Sequence, residues 1–498
     1  MSGRDPIKVY DARWESGEFT DQEVQRLFEA ALIYGKSLGV DTVTLSRDAR
    51  LAAGRVLEIG LEAALGSGFE VYLCTDPIST PQSYFLALWA STRHPRTMGF
   101  TVTASHNPAD YVGLKLTVPT VRAIGLDSGP LGGLSAIRAL YHGGERLPAG
   151  LHGALHVVDL TREYVDFSFH NAGIEEGSLA GQRIILDSFN GSAGPELLQA
   201  MEKAGVQADA LRLIPDGRFP SGSPNPVSQG KMAGAVRLAD ETQTVIGVDG
   251  DGDRLVFGDR RGILSAGLSA VSIIGSEPFA QDQSGPPAPV LFDPKVDPIA
   301  LEAWGRFNVQ PVLFRNGHSQ IKDYMGRIGA RFGAEESGHF YHRLRYHDLE
   351  MNAENSIVTV LHFLSTRVRS PSTLDELWEL QNRVFTTGEL NFQLSDEAVV
   401  LSARDRLVAD FTREGAQVVT ATPDGIELGG SQISRGVHLQ APRVRLDDGW
   451  YSGFVRTSTN EKAVLRLFFT AGSLEHGGRL TQEITRVMRD VFGGRQIE

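Results

Sequence analysis

The chain has 498 residues, enough for three or four domains at roughly 150 residues each. Its 41% apolar and 22% charged content excludes disorder throughout. The 48 Lys plus Arg against 61 Asp plus Glu leave a net charge of −13, which argues against a broad nucleic-acid-binding face; a few cations converging in one cleft would still hold a small phosphate ester.

The N-terminus, Met1 to Pro6, lacks the apolar h-region of a secretory signal. No uncharged apolar stretch approaches the roughly 20 residues of a membrane span, so a cytoplasmic protein with no membrane partner is expected. Thr20-Asp21-Gln22-Glu23 is a capping box, and Val24, Leu27, Phe28, Ala31 and Leu32 continue it as the apolar stripe of a helix. A strand at 42–45, a helix at 56–65 and a strand at 69–73 follow, giving a β-α-β unit and a mostly parallel sheet. Cys74, the single cysteine, ends that last strand as a small buried hydrophobe; one cysteine excludes an intrachain disulfide and CxxC chemistry. The stretches 43–48, 184–188 and 289–293 each set a short apolar strand before a polar turn and a helix, which predicts three related α/β domains. Arg369 to Ser372 reads as a linker, after which a helix near 374–380, alternating segments such as 390–394 and a last helix near 480–491 make a smaller α+β domain. The expected boundaries are 1–150, 151–258, 259–372 and 373–498.

The sharpest local signal is Asp249-Gly250-Asp251-Gly252-Asp253-Arg254, between a strand at 244–248 and another at 255–258. Glycines permit the tight turn that lets three carboxylates converge on one hard cation. An EF-hand fails because Arg254 and Arg260 stand where its Gly and Glu belong. A phosphatase of the Asp-x-Asp-x-Thr kind fits better, yet Asp253 replaces its Thr. A solvated acidic turn is the plain alternative, but three carboxylates repel one another without a cation, which favours a divalent metal.

Thr103 to Pro108, followed by Tyr111, Gly113 and Lys115, is read either as a turn or as a loop whose Ser105 carries a phosphoryl group balanced by His106 and Lys115. Ser105 lies outside any G-x-S-x-G elbow. Arg456 to Lys462 gathers a guanidinium, three hydroxyls and an amide, a donor set suited to phosphate, or else forms a surface turn. Ala334 to His339 offers a carboxylate and hydroxyl to a polyol, or is a polar loop; Asn316 to Ser319 is a weaker signal. Gly35-Lys36-Ser37 does not end a Walker A motif, because residue 30 is Ala and the stretch is helical.

In this order the motifs resemble the alpha-D-phosphohexomutase superfamily, and within it the bacterial phosphomannomutase/phosphoglucomutase group. Tyr10-Asp11-x-Arg13, Thr103 to Lys115, Asp249 to Arg254, Glu335 to His339 and Arg456 to Glu461 carry the resemblance, which spans the chain. It implies an α/β, four-domain enzyme, three related α/β domains plus a smaller C-terminal α+β domain around a central cleft. It implies a Mg²⁺-dependent intramolecular phosphotransferase that interconverts hexose 6- and 1-phosphates of mannose or glucose through hexose 1,6-bisphosphate. Ser105 would be the phosphoserine, with Ser105, Asp249, Asp251 and Asp253 holding the metal. His106, Lys115, Arg254 and His318 would be catalytic. Tyr10, Arg13, Lys295, Glu335, Ser337 and His339 would face the sugar, and Arg456, Ser458, Thr459 and Asn460 its remote phosphate.

Trp14, Val112, Ala334 and Lys462 depart from the family's usual Gly, Asn, Gly and Pro, which bears on sugar choice. Phosphoglucosamine mutase is therefore an alternative within the class, and a metal-dependent sugar phosphatase or a sugar-phosphate binding protein are alternatives outside it. Oligomeric state is not legible.

Overall fold

Thr20 caps the first helix as the capping box predicts: its hydroxyl accepts from the Glu23 amide at 3.3 Å, and the Glu23 carboxylate accepts from the Thr20 amide at 2.9 Å. The computed structural model describes residues 5–148, 150–282, 284–422, 424–437, 446, 449–458 and 461–497. Packing divides the chain into two units. One comprises Met1–Ile263, Gly317–Phe332 and Ser337–Arg369, the other Leu264–Asn316, Gly333–Glu336 and Ser370–Glu498.

The first unit begins with β1 (Ala12–Glu15), α1 (Asp21–Ser37), β2 (Thr42–Arg47), α2 (Ala53–Gly66), β3 (Glu70–Pro77), α3 (Thr80–Ser91), β4 (Thr97–Val102), β5 (Tyr111–Val118), β6 (Arg122–Ala123), α4 (Gly133–Gly143) and β7 (Leu155–Val157). The sheet order is β1-β5-β4-β2-β3-β7, with β6 on β5. Strands β4, β2, β3 and β7 run parallel, whereas β5 and β1 run antiparallel at one edge. β2 and β4 are almost wholly buried, as central parallel strands covered on both faces must be.

The second domain repeats the plan with α5 (Thr161–Ala172), β8 (Arg183–Asp187), α6 (Gly194–Ala204), β9 (Gln207–Leu211), α7 (Ala233–Leu238), β10 (Gln243–Val248), β11 (Leu255–Asp259) and β12 (Gly262–Ile263). Its order is β12-β11-β10-β8-β9, parallel through β9, β8 and β10 and antiparallel at β11 and β12. The first sheet thus runs to Val157, past the expected boundary at 150, and the second to Ile263, past 258. In both domains the parallel strand that borders the antiparallel edge, β4 or β10, turns directly into its antiparallel neighbour. Those two turns, 103–110 and 249–254, hold Ser105 and the three aspartates at the carboxyl ends of parallel strands, where α/β sheets place their ligands.

In the second unit, α8 (Ala266–Ser276) and α9 (Pro278–Gln281) precede a third β-α-β: β13 (Ala288–Phe292), α10 (Pro298–Trp304) and β14 (Val309–Leu313), the strands parallel. Back in the first unit are α11 (His318–Ile328), the antiparallel hairpin of β16 (Phe340–Tyr346) and β17 (Leu349–Glu354), and α12 (Ser356–Arg369), which packs against α5; of β15 (Phe332–Ala334), between α11 and β16 in the chain, only Phe332 belongs to this unit.

The rest of the second unit is α13 (Thr373–Gln381), β18 (Phe385–Gln393), α14 (Glu397–Arg413), β19 (Gln417–Thr422), β20 (Gly425–Leu428), β21 (Gln432–Arg435), β22 (Tyr451–Thr457), β23 (Val464–Ala471), α15 (Leu474–Phe492) and β24 (Arg495–Ile497). These strands form one antiparallel sheet in the order β20-β19-β21-β22-β23-β18-β24. α14 and α15 cover it with a core that includes Leu407, Phe411, Ile484 and Met488. Among the described residues no helix is long and apolar enough to cross a membrane.

One buried acid joins the first two domains. Ser79, the N-cap of α3, donates to Glu196 of α6 at 2.6 Å, and burial pushes the Glu196 carboxyl up to about 8. A carboxyl raised by folding is neutral in the native state. Its contribution is intact below the ordinary value of 4.5 and is lost as pH rises from there through about 8. At pH 7 the cost is about 3 kcal/mol. Glu196→Gln is therefore expected to stabilise the protein by about 1–3 kcal/mol at pH 8 and by almost nothing at pH 4.5, read from denaturation midpoints at the two pH values.

Candidate active site

Ser105 is 1% exposed and adopts a left-handed backbone, φ +53°, which costs a non-glycine residue about 1–2 kcal/mol. Its Oγ lies 3.2 Å from His106 Nδ1 and 3.3 Å from Asp249 Oδ2. Its amide donates to Thr103 Oγ1 at 2.9 Å. The turn between β4 and β5 thus aims one buried hydroxyl at the acidic turn between β10 and β11.

That acidic turn needs its glycines. A Cβ on Gly250 would come within 2.9 Å of the Ser105 carbonyl, and one on Gly252, at φ +78°, within 2.5 Å of Ala193 Cβ. Asp249 Oδ1 accepts the Asp253 and Arg254 amides at 3.1 Å each. Asp251 Oδ2 accepts Lys115 Nζ at 2.7 Å and Thr80 Oγ1 at 2.6 Å, and lies 3.0 Å from Thr103 Oγ1, whose one proton goes to Asp48 at 2.8 Å. Lys115, 3% exposed on β5, also pairs with Asp253.

A cation other than a metal therefore already offsets part of the acidic charge, which sequence reasoning did not place there. Against the pull of burial, Asp251 and Asp253 hold the Lys115 ammonium well above its usual value. Both carboxyls in turn sit low: against burial and mutual repulsion, Lys115 favours their charged forms. Asp249 differs, because burial and the charges of Asp253 and Asp251 push it well above the carboxylate range. The three aspartates have oxygens within 4.8 Å of one another, and the buried Oδ1 atoms of Asp251 and Asp253 have no hydrogen-bond partner. Orphaned carboxylate oxygens beside an acid that resists ionisation are what a bound divalent cation would satisfy, so the residues fit a metal.

Histidines and arginines surround this pair of turns. Burial, then Arg254 and Arg13, holds the His106 imidazole well below its usual value, so it is neutral and charge balance falls to Lys115 and the arginines. Arg254 Nε donates to His339 Nε2 at 3.1 Å. The His339 proton then sits on Nδ1, 3.4 Å from Glu354 Oε1 and 3.7 Å from Asp253 Oδ1. Glu354 is held by Lys322 at 2.8 Å. Arg13 pairs with Asp11 at 2.7 Å and donates to Asn107 Oδ1 at 2.8 Å. His318 Nε2 lies 3.9 Å from Asp11, and its ring meets Tyr10 edge-on with centroids 6.1 Å apart. Tyr10, Arg13, Ser105, His106, Lys115, the three aspartates, Arg254, His318, Ser337 and His339 are thus all in the first unit.

The other expected residues lie in the second unit. Glu335 is buried beside Asp293, whose carboxyl burial and the Glu335 charge push up to about 7. Lys295 pairs with Glu389. Arg466 reaches Glu389 at 3.3 Å and Glu461 at 2.6 Å, and Ser458 donates to Glu461 at 2.6 Å. Arg456, the penultimate residue of β22, has its guanidinium 5.4 Å from the Phe454 ring centroid. Lys295, Arg456 and Arg466 thereby share one polar neighbourhood around Glu389, whose carboxyl they hold low against burial. Thr459 and Asn460 lie outside the described residues.

Trp14 and Val112 are directly opposed across β1 and β5, and both are buried in the first domain's core. Sequence reasoning missed Arg50, Thr80, Lys322 and Glu354, and gave Thr103, which opens the serine motif, no role of its own. It also missed the loop in which Ser223 donates to the His106 carbonyl and the Pro224 carbonyl accepts the Gly250 amide at 3.2 Å. Ser46-Arg47-Asp48 was the one available pointer to Arg50, as a polar turn after a strand.

The chain is similar to known proteins in sequence and in fold. Three models described as phosphoglucomutase/phosphomannomutase alpha/beta/alpha domains I, II and III match residues 5–126, 162–262 and 270–384. A phosphomannomutase of Salmonella montevideo is 28% identical over 437 residues, covering 85% of this chain and 89% of its own. One from Escherichia coli K12 is 28% identical over 440 residues, with the same coverages of 85% and 89%. A phosphoglucomutase/phosphomannomutase family protein from Burkholderia thailandensis matches the fold with a TM-score of 0.76 at 22% identity, covering 97% of each chain. Three consecutive domain matches over a Ser105 turn and an acidic turn built on equivalent strands place the chain in the phosphoglucomutase/phosphomannomutase family.

Proposed function

We propose that the enzyme, a hexose-phosphate mutase by family, carries a phosphoryl group on Ser105 and interconverts mannose or glucose 6- and 1-phosphates through the hexose 1,6-bisphosphate. The observation that carries this reading is the buried Ser105 hydroxyl 3.3 Å from Asp249, in a cluster of three aspartates with two orphaned oxygens. Asp249, Asp251, Asp253 and the Ser105 phosphate would hold Mg²⁺. When bound, the ion supplies neutralising charge to the phosphoryl group in flight.

The chain's own residues do the rest. Lys115, Arg254 and Arg13 balance charge around Ser105, and His106 Nδ1, 3.2 Å from the hydroxyl, is placed to exchange its proton. The phosphoryl passes from Ser105 to the free hydroxyl of the bound hexose phosphate. The bisphosphate then turns over and returns its other phosphoryl to the serine. Each half-reaction needs the far phosphate held. We assign that grip to Arg456 and Ser458 with Thr459 and Asn460, and the sugar hydroxyls to Glu335, Ser337 and Lys295. Tyr10, His318 and His339 complete the substrate-facing set. A cytoplasmic location belongs to the same reading and is checked by cell fractionation.

A coupled mutase assay on mannose, glucose and glucosamine phosphates, with and without the 1,6-bisphosphate, tests the proposal. Isomerisation dependent on the bisphosphate supports it; release of inorganic phosphate without isomerisation overturns it in favour of a phosphatase. Arg456→Ala is expected to lower kcat/KM by roughly 10- to 1000-fold, about 1.4–4 kcal/mol, through both KM and kcat, because the remote grip also positions the reacting end.

A further inference from the structure

We infer that Arg50 is the positioning residue of the phosphoserine turn, an inference that rests on Ser105 being the phosphoryl carrier. Arg50 is 1% exposed, two residues beyond Asp48 and outside every motif that marks the site. Its guanidinium has five N–H donors, and the structure matches all five. Nε donates to Asp48 Oδ2 at 3.0 Å. One terminal nitrogen serves the carbonyls of Ser105 and Asn107, both at 2.7 Å. The other serves Tyr111 at 3.0 Å and Pro108. One side chain therefore gathers four carbonyls of a turn only nine residues long, from Thr103 to Tyr111.

The same assembly holds the other side of Ser105. Asp48 accepts from Thr103 Oγ1 at 2.8 Å, and Thr103 Oγ1 accepts the Ser105 amide. Both peptide groups of Ser105 are fixed by the Asp48–Arg50 pair, directly or through one hydroxyl. That is how a non-glycine residue is kept left-handed, with its Oγ aimed at Asp249 rather than relaxing to an ordinary backbone. From the second domain, Phe219 lies against the guanidinium with its ring centroid 5.2 Å away and adds a cation–π contact to the clamp. A lysine at this position would bring the charge but not the planar fork, and could not serve four carbonyls at once.

The test uses the full chain, phosphorylated with hexose 1,6-bisphosphate, as wild type, Arg50→Lys, Arg50→Gln and Arg50→Ala. Arg50→Lys is expected to lower kcat, counted per phosphorylated Ser105, by roughly 30- to 1000-fold with KM for hexose phosphate within about threefold, since misplacement of a reacting group acts on turnover. The ³¹P resonance of its phosphoserine should shift or broaden, and guanidinium ion should restore part of the activity of Arg50→Ala. A pure stability role would instead lower the active fraction and leave kcat per phosphorylated site unchanged. Wild-type kcat per site in Arg50→Lys overturns the inference. So does failure of Arg50→Lys and Arg50→Gln to fold, combined with no guanidinium rescue of Arg50→Ala. A wild-type enzyme that never carries phosphate on Ser105 would instead overturn the functional reading beneath it.

Discussion

Ser105→Ala is expected to fold and bind hexose phosphate while losing at least about 10⁴-fold in mutase turnover, because it deletes the atom that carries the phosphoryl group. The loss of one hydroxyl from a site already organised by backbone bonds leaves the scaffold intact: the Ser105 amide still reaches Thr103, and its carbonyl still accepts from Arg50. Alanine tolerates the left-handed backbone no worse than serine does. Kinetics and mass spectrometry check this together. Wild-type protein should carry one phosphoryl group on the peptide containing Thr103 to Pro108, and the variant none. Activity in Ser105→Ala near wild type would move the nucleophile to Asp249 and the chemistry to that of a phosphatase.

Removing the metal should be nearly as damaging. Activity is expected to collapse in EDTA and return with Mg²⁺, and Asp251→Asn should lower activity at limiting Mg²⁺ by about 100-fold or more. The geometry says why an isosteric change is severe. Asp251 Oδ2 receives donors from Lys115 and Thr80, while Oδ1 is buried without a partner. Asparagine must keep its oxygen toward those two donors, which leaves its amide protons where a cation would sit. Isothermal titration with Mg²⁺ and a Mg²⁺ dependence of kcat measure the loss; full activity in chelator would remove the aspartates from the mechanism.

The site was legible in sequence where residue type and spacing carry the chemistry. Alternating aspartates and glycines announce a cation site, and Ser105-His106-Asn107-Pro108 stands out as an unusual polar turn. The three β-α starts gave the repeated sheet architecture, since a buried parallel strand must be an unbroken apolar run. Arg50 was not legible, because its work is done on backbone carbonyls, which every residue possesses. Thr80 and Glu354 escaped for a related reason: one acts across more than 100 residues of sequence and the other through a second side chain, and neither leaves a local spacing. Lys115 was placed near Ser105 by its motif, but its two counter-charges lie in another domain, and no linear pattern connects them.

That last separation has a consequence for how the chain is made. Lys115 is buried in the first domain's sheet, and its ion-pair partners among the described residues, Asp251 and Asp253, belong to the second. During synthesis at about 5–20 residues per second, a nascent first domain waits on the order of 5–20 s before those aspartates emerge. Until then a completed β5 would bury an ammonium with no counter-ion, at a penalty of several kcal/mol. The edge of the first sheet should therefore stay loose on the ribosome and close only when the second domain arrives. The charge pair is thus expected to set when the first sheet closes, which hydrogen exchange of β5 in a chain ending before Asp249 checks.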